Sequence, residues 1–122
     1  MPWLDWEREP DVCTLVTEDG LLIASERRGS AQHVAASGEL DIASSELLEQ
    51  ALLDAERGDA ETIVLDLSAL EFIDSTGLRL VIDANERCGG PSGRLRVIAG
   101  APAVERLLDL VGLRERLPLI TP

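Results

Sequence analysis

The segment Thr62-Ile63-Val64-Leu65-Asp66-Leu67 constrains this chain more than any other. It is almost continuously apolar and rich in β-branched residues, the composition of a strand buried on both faces of a parallel sheet. The sequence runs on through Phe72-Ile73 into Asp74-Ser75-Thr76-Gly77, four small or polar residues that open a predicted helix. A hydroxyl at a helix N-terminus meets free backbone N–H groups and the positive end of the helix dipole. A phosphate is well tolerated at such a position, so a protein without catalytic machinery can carry a charge switch there.

Around this strand the chain alternates between elements. Leu21–Arg27 and Gln32–Ser37 read as strands joined by a turn at Arg28-Gly29-Ser30, hence an N-terminal β-hairpin. A helix is predicted over 44–57, with Leu47, Leu48, Ala51, Leu52 and Ala55 on one side, Ser44 or Ser45 as its cap and Gly58 as its end. A second helix is predicted over 75–88, with Leu78, Val81, Ile82 and Ala84 facing inward, and Gly89–Gly93 then breaks the chain. A strand over 95–99, a third helix over 103–111 behind Pro102, and a short extended segment over 117–120 complete the order. This order predicts a single α/β domain, with a mixed, mostly parallel sheet packed by helices. Residues 1–18 are acidic and hold Trp3, Trp6 and Pro10; they read as an N-terminal extension, with the domain over 19–122.

Composition narrows the function. The chain has 122 residues, enough for one core. Its net charge is −12, from 23 acidic and 11 basic residues, and every basic residue is Arg. Nucleic acid and anionic membrane surfaces need a basic patch, so neither is an expected partner. No apolar stretch approaches the ~18 residues of a membrane span, and the first residues have no basic region followed by an apolar run, so no signal peptide is read there. A cytoplasmic setting is expected, with Cys13 and Cys88 as reduced thiols; their spacing fits no metal or C-x-x-C site.

Three pieces carry a family resemblance: Ser37-Gly38-Glu39-Leu40-Asp41, the stretch Ile63 to Leu78 with Phe72-Ile73-Asp74-Ser75-Thr76-Gly77-Leu78, and Ala101 to Leu108 followed by Gly112-Leu113. Together they resemble the STAS domain, and within it the anti-sigma factor antagonists of bacteria, over roughly residues 19–122. The resemblance implies a phosphoprotein of stress response and transcription regulation that works by partner switching. Its unphosphorylated form would bind an anti-sigma factor of the GHKL serine kinase type and free a sigma factor. The kinase would then phosphorylate Ser75, and a PP2C-type phosphatase would reset it. Asp41, Asp74, Ser75, Thr76, Gly77 and Arg79 are the implied partner-binding residues, in a monomer or weak dimer. Members often have Gly where this chain has Arg79, a charge close to the implied phosphosite.

Each of these residues also has a structural reading. Ser75 or Asp74 can serve only as an N-cap, and Thr76 as a helix-terminus hydroxyl. Gly77 permits a close approach by a neighbouring strand or by a partner, and Asp41 can cap the first helix or hydrogen-bond its own loop. A serine hydrolase would need a base near Ser75, yet the single His, His33, falls in a predicted strand. Asp66 lacks the second aspartate of an aspartyl-phosphate site. No metal-ligand cluster or P-loop is present in the sequence, so no enzyme activity and no cofactor are expected. Two other functions stand beside the leading one. One is a STAS subunit of a stress-sensing scaffold or lipid-transport ABC assembly; the other is a small enzyme or nucleotide-hydrolysing protein.

Overall fold

The computed structural model describes residues 13–112 and 114–121. Five strands form one sheet in the order β1-β2-β3-β4-β5: β1 Cys13–Glu18, β2 Leu21–Arg28, β3 Ala31–Leu40, β4 Thr62–Ile73 and β5 Leu95–Ile98. Three α-helices interleave with them: α1 Ser45–Arg57, α2 Ser75–Arg87 and α3 Pro102–Val111. The sheet is mixed. β1 to β3 form an antiparallel meander, and β3, β4 and β5 run parallel. The C-terminal segment adds a parallel bridge from Leu119 to Val97. The α/β fold and the hairpin are as the sequence implies.

The domain boundary is corrected by β1. The expected extension over 1–18 splits: Cys13–Glu18 pairs with β2 from Cys13↔Glu26 to Glu18↔Leu21 and belongs to the sheet. The physical reason is the Asp19-Gly20 turn, where both residues take positive φ, 50° and 84°. That geometry matches the twist of a two-residue hairpin. Trp3, Trp6 and Pro10 lie outside the described residues.

The core fills the space between sheet and helices. Ile23, Val34, Ile63, Leu65 and Leu95 are buried on the strands, and Leu48, Leu52, Val81, Ala84 and Leu108 are buried on the helices. These helical positions recur at three- and four-residue spacing, as an amphipathic helix on a sheet requires. Helices α1 and α2 are tied by a two-pronged pair, Arg87 Nε to Glu56 Oε1 at 2.8 Å and Arg87 Nη2 to Glu56 Oε2 at 3.0 Å. Pro102 opens α3, and Gly112 ends it with φ 68°.

Strand β4 runs six residues past the predicted Leu67. Along β3 the partners step from Ala35↔Asp66 to Ser37↔Ala69, and from Gly38↔Leu70 to Glu39↔Phe72. Each step spends one extra residue on β4, so β4 carries two bulges. The bulges bring Leu40 opposite Ile73, and the next residues, Asp41 and Asp74, leave the sheet side by side.

Candidate functional site

The site is built where β3 and β4 end. Asp74 N–H donates to Leu40 O at 3.2 Å, joining the two exits. Asp74 then takes extended backbone (φ −110°, ψ −177°) and caps α2, its Oδ1 accepting from Gly77 N–H at 3.0 Å. This settles which residue is the cap. Ser75 sits one place further on, as the first helical residue, and is exposed. Its hydroxyl is therefore not spent on capping and stands at the positive end of the helix dipole. Thr76, next in the first turn, is half-buried.

Gly77 is buried because of its neighbours. A Cβ there would lie 2.7 Å from Leu40 Cγ and 3.1 Å from Ile73 Cγ1. Of the two readings left open by the sequence, close packing against a neighbouring strand is the one observed. Gly38 has a different reason. Its φ is +98°, and a Cβ would fall 2.2 Å from the carbonyl oxygen of Gly20. It lets the end of β3 fold over the β1–β2 turn, where Glu39 N–H donates to Gly20 O at 3.1 Å.

Asp41 organises the loop after β3. Its Oδ1 accepts from Ala43 N–H at 3.0 Å and from Ser44 N–H at 3.1 Å. Ser44 is fully buried, accepts from Asp41 N–H at 3.1 Å and donates to Glu39 O at 2.8 Å. Ser44 thus holds the N-cap position of α1 without bonding a helix N–H, a correction to its expected capping role. Its hydroxyl closes the turn that aims Asp41, a function that its sequence position alone could not separate from capping.

Arg79 lies one turn after Ser75 and is 77% exposed, with its Nε 3.5 Å from Asp83 Oδ1. Ser75, Thr76, Leu78, Arg79, Ile82 and Val111 line a shallow groove of about 460 Å³ between α2 and the end of α3. Ile42, 76% exposed, and Phe72, 47% exposed, flank the same edge of the sheet. The sequence reading missed both. The signal was present: a large apolar residue directly after Asp41, and another two residues before Asp74.

His33, Asp66 and Cys88 stand outside this site. The only His, His33, pairs with Val64 on β4. Ile73 lies nine residues further along that strand, roughly 30 Å at strand rise. Asp66 is engaged locally, its Oδ1 accepting from Ser68 N–H at 2.9 Å and Ser68 Oγ at 2.6 Å. Cys88 is half-buried, and burial first, then Glu56, pushes its thiol pKa up. Among the described residues, no group of three or more His, Cys, Asp or Glu is placed to hold a metal ion. No helix among them is long and apolar enough to cross a membrane.

The family model described as "Mlab, STAS domain" matches residues 23–121. The chain belongs to the STAS-domain family. Its relatives include the anti-sigma F factor antagonist of Paenibacillus polymyxa, 36% identical over 84 residues, which are 68% of this chain and 72% of that protein. A solved relative is an anti-sigma factor antagonist from Mycobacterium paratuberculosis, with a TM-score of 0.70 and 32% identity, covering 93% of this chain and 88% of that one. The Bacillus cell fate determinant SpoIIAA in its phosphorylated form shares the fold, with a TM-score of 0.57 and 20% identity, covering 91% of each chain. In this STAS domain, then, Asp41, Asp74, Ser75, Thr76, Gly77 and Arg79 fall at one edge, brought there by the β3–β4 register and the first turns of α2.

Proposed function

We propose that this STAS protein is an anti-sigma factor antagonist that works by partner switching in the cytoplasm. Unphosphorylated, it binds an anti-sigma factor that is itself a GHKL-type serine kinase, and so releases a sigma factor. Phosphorylation of Ser75 ends the binding, and a PP2C-type phosphatase restores it. The observation that carries this reading is the division of labour at the start of α2. Asp74 caps the helix, which leaves the Ser75 hydroxyl exposed and unneeded by the fold. The names of the relatives at 36% and 32% identity support it.

The switch needs no change of fold. A phosphate adds roughly −1.5 to −2 charge at a site already flanked by Asp41 and Asp74. In a closed interface this added charge is costly to desolvate. Ile42 and Phe72 supply apolar contact around it, and Asp41 acts by holding the loop that presents Ile42. Thr76 is the weaker acceptor candidate, being half-buried within the first turn.

Incubation with the cognate kinase and ATP, followed by mass-spectrometric mapping, tests the reading. One phosphate on Ser75, absent in Ser75→Ala, is the expected result. Equal labelling of Ser75→Ala would move the acceptor to Thr76. Co-purification of an ABC ATPase or a large scaffold, in place of a kinase, would favour the alternative of a STAS subunit in a larger assembly.

A further inference from the structure

We propose that Arg79 is a phosphate clamp built into α2. When Ser75 carries a phosphate, the Arg79 guanidinium leaves Asp83 and closes on the phosphate one turn back. The inference rests on the reading of Ser75 as the phosphoacceptor and deepens it.

The geometry has three parts. Ser75 and Arg79 are four residues apart on one helix, so their side chains rise from the same face with Cβ atoms about 5–6 Å apart. Both line the groove against the end of α3, where Arg79 is the one charged residue among the described lining residues. Finally, the present engagement of Arg79 is loose. Its nearest approach to Asp83 is 3.5 Å, from Nε to Oδ1, between side chains 77% and 46% exposed. Arg87 and Arg114, by contrast, hold carboxylates at 2.8–3.1 Å through two nitrogens each.

Exchange of partners is favoured in direction as well as in charge. On a helix, an anion four residues N-terminal to a cation is the better order, because it agrees with the dipole. Phosphoserine 75 with Arg79 has that order, whereas Arg79 with Asp83 has the reverse. A phosphate also offers the planar fork two acceptor oxygens at once. Two acidic groups stand at the same end of the sheet: Asp74 at the N-cap, held by Gly77 N–H, and Asp41 on the loop after β3. They oppose the second ionisation of the phosphate, and Arg79 offsets them. Held against the helix, the dianion is retained on this protein and faces the partner as fixed negative charge.

Phosphoserine placed at position 75 by genetic encoding allows a test that does not depend on any kinase. The second phosphate pKa is read by ³¹P NMR titration in the full chain and in Arg79→Gln. The expected result is a pKa lower by about 0.3 pH unit or more with Arg79 present. The Arg79 Nε–H resonance should also move on phosphorylation, and Asp83→Asn should leave the phosphate pKa no higher than in the parent. Equal phosphate pKa values with and without Arg79, or an Arg79 resonance that ignores the phosphate, would overturn the clamp. Kinase labelling with mass spectrometry reads the acceptor assignment separately, so the two failures cannot be confused.

Discussion

Gly77 and Asp74 do opposite jobs within three residues. Asp74 supplies an oxygen that the helix lacks, and Gly77 withholds a carbon that the core cannot fit. Gly77→Ala would press on Leu40 and Ile73, so a loss of about 1–3 kcal/mol is expected from urea unfolding. Asp74→Ala leaves Gly77 N–H without its cap and should cost about 1 kcal/mol by the same measurement. His33 gives a pH signature. Partial burial, then Arg28, lower its pKa from 6.5, while Glu26 and Asp66 oppose the shift. The unfolded chain therefore takes up the proton first. The His33 contribution is fully present above pH 6.5 and is lost as pH falls through the lowered folded pKa. His33→Gln should flatten that part of the stability profile, as read by unfolding midpoints between pH 7.5 and 5. The placement of Asp41 beside Ser75 at one end of the sheet was legible in the sequence. The reason for Gly77 was not, because it depends on Leu40 standing opposite Ile73, and two bulges set that register.

At the scale of elements, the sequence showed the three helices to within a residue or two, because their apolar spacing and their ends at Gly58 and Gly112 agree. It showed β4 only as far as Leu67. Beyond that point burial recurs at Leu67, Leu70 and Ile73, every third residue rather than every second, since the bulges break the alternation. Strand β1 was missed although Asp19-Gly20 is a hairpin signal between two apolar runs. Acidic residues and two Trp nearby drew the boundary too late. Deleting residues 1–18 removes β1 and opens the edge of β2, so its urea midpoint should lie clearly below that of a deletion of 1–12. Equal midpoints would mean that β1 adds nothing to the stability of the sheet.

On the scale of the whole molecule, the proposed switch changes the charge at one end of an acidic domain and requires no change of fold. Phe72 and Ile42 form the apolar rim of that end. Phe72→Ala should weaken partner binding at least tenfold while leaving the circular dichroism spectrum unaltered, because its ring is half in solvent. The central claim is that the phosphate on Ser75 alone decides binding. The most direct measurement is a titration of the cognate anti-sigma factor kinase, by calorimetry, with the unphosphorylated protein and with the form carrying phosphoserine at 75. The account predicts a Kd weaker by about 100-fold or more for the phosphorylated form, on the order of the loss expected when added negative charge must be desolvated in a closed interface, with matching circular dichroism for the two. Equal Kd values for the two forms would contradict it.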